Sequence, residues 1–431
     1  MTITIVSYIM IIIIVFLLIR EKASLSPVFI LVPVAAALFC GYGIAEISEF
    51  AIEGCRSILN TALLFLFSVV YFSILQEIGL FEVMIYYVMK GMKNSILLLM
   101  IITSVVAMLI QLDGSGAMTM LITIPAFLPL YDAMKVQRTI LVFLVSASAG
   151  IMNFMPWCSA MLRLSAATGL ESVDIWHALL PLQGIGILII FLFCVIISHF
   201  EKRKGAGVTD HTFNQIKESY RQKPQYKVPV SLLLFDTIFT VFLIILLLLN
   251  LIPSAFGFMI GLSCLLILNF PNPKKQEAQI KKHAATAFPL VLTVFSLGCM
   301  IGIMNKTGMV NAIADSLISL IPENLGSKIP LFYGIIGVPL SVVIGSDCCY
   351  SILAPVLGNI VQNYGGTAMQ SSIVILLASS FAANITFIGP APYLSVSLAG
   401  ITMKEHLKYS FKLLWILCVI LVIIASIINL I

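Results

Sequence analysis

Apolar residues fill the chain in long runs, and polar residues sit in the short gaps between them. In the first half the runs span 2–19, 27–40, 57–75, 95–112, 117–130, 138–155 and 175–200. After a hydrophilic stretch, "EKRKGAGVTDHTFNQIKESYRQKPQYK", they resume at 228–249, 252–270, 285–304, 330–344, 348–361, 371–388 and 407–431. A run of about 20 apolar residues matches the hydrocarbon thickness of a bilayer, so the pattern predicts an all-α multi-pass membrane protein with about 11–12 membrane helices. Two shorter amphipathic pieces, 80–87 and 309–320, are expected to lie along the interface. The first run has neither a basic leader nor a small-residue cleavage motif, and reads as a retained span rather than a signal peptide.

The runs 95–112 and 117–130 do not behave as two ordinary spans. Lys90 and Lys93 precede them, and Lys135 and Arg138 follow. Basic residues mark the cytoplasmic side, so the pair should enter and leave from one side as a re-entrant hairpin over 95–131. With the N-terminus outside, that reading puts all but four of the 24 basic residues in cytoplasmic loops and helix ends; the four are Arg56, Arg163, Lys306 and Lys328. It predicts a cell (inner) membrane protein with both termini outside.

The pattern also repeats. A hairpin, the tip "DGSG", a half-helix and the span "VSASAGIMNFMPWCSAMLRLSAATG" in the first half match a hairpin, the tip "GSD", a half-helix and "ASSFAANITFIGPAPYLSVSLAG" in the second. Asn153 precedes Gly169 by the same spacing that separates Asn384 from Gly400. The reading is a first repeat over 1–200 with a broken helix at 138–170, a cytoplasmic linker at 201–228, and a second repeat over 229–431. The second repeat carries a hairpin at 330–361 and a broken helix at 369–402. The basic-residue bias opens the two hairpins to opposite sides, so the repeats are inverted, the design of a secondary transporter with its site near the midplane.

Composition narrows the class. The chain is 60% hydrophobic and only 10% charged, which suits lipid rather than water as the solvent. Its nine cysteines show no CxxC spacing and lie mostly inside apolar runs, so they predict neither disulfides nor zinc. The net charge of +5 is explained by basic loops beside membrane helices, and no nucleic-acid partner is expected.

The chemistry concentrates at the tips and breaks. A carboxylate at bilayer depth costs about 3 kcal/mol or more unless it is paired, hydrated, metal-bound or protonated. Asp113, set between Leu112 and Gly114, therefore belongs at a buried, polar hairpin tip, and Asp347 occupies the matching tip. Both are candidates for ion coupling and for oxygen ligation of a metal. Asn153, Asn384 and Thr386 lie at Pro- and Gly-rich breaks, where freed backbone groups can bind ions. Arg163 is the one arginine well inside a span and suits a substrate carboxylate. A structural pair between Asp113 and Arg163 is the plainer alternative. Asp236 reads as structural, and Gln111 and Ser146 as partners in hydrogen bonds between helices. His406 reads as a solvated histidine, and Trp157 as either an interfacial anchor or a site wall.

"LDGSGAMTMLITIPAFLPLY", "SAGIMNFMPW", "GSDCCYSILAPVL" and "SLAGITMKEHLKYSFK" resemble the citrate/metal/proton symporter family, CitMHS, of the ion transporter superfamily. The resemblance runs from the second apolar segment to the C-terminus. It implies a dimeric, elevator-type fold of two inverted repeats with two opposed re-entrant hairpins, and uptake of citrate complexed with a divalent cation and coupled to protons. Carried over by position, Asp113 and Ser115 match the first tip, Ser346 and Asp347 the second, and Asn153, Arg163 and Asn384 the broken spans. Where the family shows Gly-Gly-Pro-Thr before its arginine, this chain reads Cys158, Ser159, Ala160, Met161, and Cys348 and Cys349 follow Asp347. Those departures line the pocket and bear on which carboxylate fits.

The expected function is symport of a di- or tricarboxylate, citrate or its metal complex, with protons or cations. The substrate contacts expected are Ser115, Asn153, Ser159, Arg163, Ser346, Asn384 and Thr386. Mg or Ca would travel with the substrate, and no permanently bound cofactor is expected. Expected partners are the small organic anion with its divalent cation, protons, membrane lipid and a second copy of the chain. The alternatives are a cation/proton antiporter or a carrier of another small organic anion. An enzyme is not expected, since HExxH and GxSxG are absent.

Overall fold

The computed structural model describes residues 2–20, 22–209, 213–214, 228–249, 251–319, 323–387 and 389–431. These form helices joined by short turns, with no strand among the described residues. Among the described residues, seven helices are long and apolar enough to cross a membrane, and seven shorter apolar ones have 10–17 residues. Most of the linker expected at 201–228 lies outside the described residues; the preceding helix, Ser172–Arg203, runs past the apolar run into its first basic residues.

At the centre are two 15-residue helices, Arg138–Met152 and Ala368–Ala382. Every residue from Ile140 to Met152 and from Ser371 to Ala382 is buried, and the two helices pack on each other. These buried stretches are apolar all round with only serines as polar content, and such a helix finds its stable place inside a bundle. Each ends in a break and is followed by a 10-residue helix, Ser159–Thr168 in one case and Pro390–Ala399 in the other. Both short helices stop at a left-handed glycine, Gly169 at φ +72° and Gly400 at φ +64°. The equal spacing read from the sequence is thus a repeated helix, break, helix, glycine-stop unit.

The expected hairpins are helix–turn–helix units. Ile96–Ile110 leads through Gln111–Asp113 into Gly116–Ala133, and Ile329–Ile344 leads into a short stretch starting at Ser346. The second unit continues through a widened π-helical turn, Cys349–Leu353, into Ala354–Asn363. The two amphipathic pieces form helices Leu80–Gly91 and Met309–Ile318.

One helix has no counterpart in the apolar pattern. Ile44–Ser57 carries Glu46, Glu49, Glu53 and Arg56, so it falls below any hydropathy threshold. It packs on the 34-residue helix Pro273–Lys306 through glycines. A Cβ on Gly54 would lie 2.1 Å from the carbonyl oxygen of Gly298, and one on Gly302 would lie 2.2 Å from that of Phe50. Backbones approach this closely only where side chains are absent, the usual device for joining helices when lipid removes the hydrophobic incentive.

Candidate functional site

The first tip is built by a tight turn. Gly114 takes φ +79°, and the carboxylate oxygen Oδ1 of Asp113 accepts the backbone N–H of Ser115 at 2.7 Å. Ser115 caps the next helix, its hydroxyl accepting the N–H of Met118 at 3.4 Å. The turn is wedged against the first helix break: a Cβ on Gly114 would sit 3.3 Å from Cys158 Cα and from the Trp157 carbonyl oxygen. Gly116, one turn on, faces Asn384 of the second break, whose Oδ1 would be 3.6 Å from a Cβ there. Asp113 is 8% exposed, so the tip is enclosed by protein, as a non-helical turn at bilayer depth requires.

Side-chain bonds lock tip to break. Gln111 Nε2 donates to Asn153 Oδ1 at 2.9 Å, and the Thr119 hydroxyl donates to Gln111 Oε1 at 2.5 Å. Gln111 therefore joins helices, as its sequence position suggests. Trp157 Nε1–H donates to the Leu112 carbonyl at 2.8 Å, and the indole packs on Phe72, Trp176 and Phe258. At 1% exposure Trp157 is a wall of the site, not an interfacial anchor.

The second tip holds the other charges. Gly345, at φ +88°, starts it; the Ser346 hydroxyl donates to the Ser379 carbonyl at 2.9 Å. Asp347 Oδ1 accepts from Arg163 Nη1 in an ion pair between the second tip and the first broken helix. Arg163 is thus bound to Asp347 and not to Asp113, the pairing weighed from sequence, because the π-helical turn after Asp347 packs on Ser159–Thr168. The Asp347 side chain is 42% exposed and that of Arg163 15%, so the pair faces an accessible space. Among the described residues no group of three or more His, Cys, Asp or Glu could hold a metal ion.

The second break is tied down through its neighbours. Asn384 Nδ2 donates to the Ser146 carbonyl at 3.2 Å, and Thr386 donates to the Val342 carbonyl at 3.1 Å. His406 corrects the expectation of a solvated histidine. It is fully buried, with Nε2 3.0 Å from the Asn384 carbonyl oxygen and Nδ1 3.0 Å from the Ser410 hydroxyl. Its place beside Lys404 and Glu405 hid this, since successive helical residues are rotated by about 100°, which turns His406 inward while its neighbours face out. Asp236, read as structural, is buried and accepts from Asn269 Nδ2 at 3.1 and 3.2 Å.

A cavity of about 400 Å³ opens from the first tip, lined by Asp113, Ser115 and Trp157 on one side and by Glu77, Lys282 and His283 on the other. Sequence reasoning counted Lys282 only as a loop charge and passed over Glu77 and His283. The one available signal was a glutamate ending a span, Leu59–Glu77.

The fold is similar to that of the Alcanivorax borkumensis YdaH transporter, at TM-score 0.60 and 13% identity over 89% of each chain. The chain shares the fold of that membrane protein, and the family model and relatives that match it are transporters, which are not enzymes. More particularly, the chain belongs to the citrate transporter family, CitMHS, whose model matches residues 8–275. It is similar to the citrate transporter of Bacillus subtilis (strain 168), 31% identical over 95% of this chain and 94% of that one. A second protein of that strain, the Mg(2+)/citrate complex secondary transporter, is 27% identical over the same shares.

Proposed function

We propose that the protein is a secondary transporter carrying citrate as a complex with a divalent cation, coupled to protons. The observation that carries this reading is the presence of opposite chemistries at the tips and the first break: a buried carboxylate at Asp113, and a guanidinium at Arg163 held by a second carboxylate, Asp347. Citrate at neutral pH is a trianion, and moving it bare through a low-dielectric barrier would be prohibitive. A divalent ion cancels two charges, and Asp113 offers a hard oxygen ligand suited to Mg or Ca as cargo. The metal's remaining ligands would come from the substrate and water.

Arg163 supplies the anion contact. One nitrogen of its guanidinium is engaged by Asp347, so a substrate carboxylate competes with that partner, and a proton on Asp347 would favour the exchange. Proton uptake and substrate capture are thereby coupled at one residue pair. Ser115, Ser159, Asn153, Ser346, Asn384 and Thr386 are the further substrate contacts in this reading, and the N-termini of the two short helices would favour an anion. The two repeated units act as inverted halves of a dimeric elevator, with the tips moving as one body against the helices Leu59–Glu77 and Pro273–Lys306. Similarity to citrate and Mg(2+)/citrate transporters supports the substrate class.

Purified protein in liposomes tests the proposal. Labelled citrate should accumulate when Mg or Ca is present and the outside is acidified. Cation/proton exchange that proceeds without citrate, with no citrate uptake under any gradient, would establish the antiporter reading instead.

A further inference from the structure

The cavity below the first tip has a second polar wall. Glu77 ends the helix Leu59–Glu77, and Lys282 and His283 lie on the facing turn of Pro273–Lys306. Glu77 Oε1 is 2.7 Å from Lys282 Nζ, and Oε2 is 2.8 Å from His283 Nε2. The Glu77 carboxylate is only 10% exposed and the His283 ring 12%, whereas the Lys282 side chain is 57% exposed. One buried carboxylate therefore gathers a lysine and a histidine at the mouth, opposite the carboxylate of Asp113, with Ser115 and Trp157 beside it. The volume falls within the range of small-molecule sites.

The two walls differ in sign. The tip attracts cations, while the mouth presents an ammonium and an imidazole whose anionic partner is Glu77. A metal–carboxylate complex is itself polar, with the cation at one end and an uncoordinated carboxylate at the other. We propose that Lys282 and His283 form a mouth subsite for the free carboxylate of the incoming or departing complex, with Glu77 as the built-in competitor that holds them when the cavity is empty. The complex then lies with its metal toward Asp113 and its free carboxylate toward Lys282. This rests on the proposed carriage of a metal–carboxylate complex, and it assigns the complex an orientation and a second contact.

The substitutions have opposite expected signs. Lys282→Gln and His283→Gln remove attraction and should raise the KM for Mg-citrate by about fivefold, the scale of a partly exposed ion pair. The rise should appear at one face only, read by comparing right-side-out with inside-out vesicles. Glu77→Gln removes the competitor and should lower that same KM. A merely structural cluster predicts the reverse for Glu77→Gln, a loss of transport with a lowered melting temperature, and that result overturns the proposal. Unchanged KM at both faces in Lys282→Gln and His283→Gln also overturns it.

A reading independent of transport separates this proposal from the one it rests on. Thr286, exposed and lining the same cavity, can be made Thr286→Cys in a background without the nine native cysteines. Mg-citrate should slow its alkylation, and Lys282→Gln should abolish that protection. Protection that survives Lys282→Gln sinks the subsite while leaving citrate binding intact; absence of protection in a protein that also fails to transport citrate sinks both.

Discussion

Arg163 and Asp347, 184 residues apart in sequence, are ion-paired between the first broken helix and the second hairpin tip. The pair joins the two repeated units at the residues proposed to bind substrate and proton, so its rupture is the natural step to perturb.

Lysine at position 163 keeps the charge but loses the planar fork. Arg163→Lys should raise the transport KM about tenfold, equivalent to about 1.4 kcal/mol, with normal amounts of protein in the membrane. Uptake measured against citrate concentration checks it, and an unchanged KM would make the arginine structural.

Asparagine at position 347 mimics the protonated carboxyl. Asp347→Asn should therefore still bind citrate, and should lose the dependence of uptake on an imposed pH gradient. The paired measurement is downhill exchange of labelled for unlabelled citrate alongside gradient-driven accumulation. Gradient-driven uptake equal to that of the parent would remove Asp347 from coupling.

At the first tip the carboxylate has the backbone N–H of Ser115 as its protein partner. Asp113→Asn keeps the size and one acceptor but not the charge, so metal-dependent accumulation should be abolished while the protein still folds. Titrating Mg and Ca against uptake in the variant is the check; a parental metal dependence would leave Asp113 as a hydrogen-bonding turn residue.

Packing offers a prediction free of any functional reading. Gly302→Val forces side-chain atoms against the Phe50 carbonyl and should cost about 1–3 kcal/mol or more, seen as a lower melting temperature in detergent. Gly184→Ala, which meets nothing within 4 Å inside Ser172–Arg203, should be neutral or stabilising by about 0.5–1 kcal/mol.

Orientation is tested by labelling. With both termini outside and the hydrophilic linker inside, an impermeant thiol reagent added to intact cells should modify Lys328→Cys and spare Lys202→Cys, both at exposed positions. The opposite pattern would invert the topology.

Much of this architecture is determined by the sequence alone, because the bilayer imposes a one-dimensional rule. Spans must be long and apolar, charges must sit at their ends, and an aspartate beside a glycine turn at mid-span must be sheltered. Hence the tips at Asp113 and Asp347 and the equal spacings from Asn153 to Gly169 and from Asn384 to Gly400 could be read from the chain, while the exact breaks after Met152 and Ala382 came with the structure. What depends on three-dimensional packing was not legible. The helix Ile44–Ser57 is too polar for the hydropathy rule and is held by contacts between glycines of distant segments. The burial of His406 depends on which face of its helix meets Asn384, and the choice of Asp347 over Asp113 as partner of Arg163 depends on how the second tip docks. The cluster of Glu77, Lys282 and His283 joins residues 206 apart at its widest, a separation over which no local pattern carries information. Sequence determines where charge must be sheltered; only the tertiary structure decides which charges shelter one another, because that depends on distances between helices that the chain brings together only on folding.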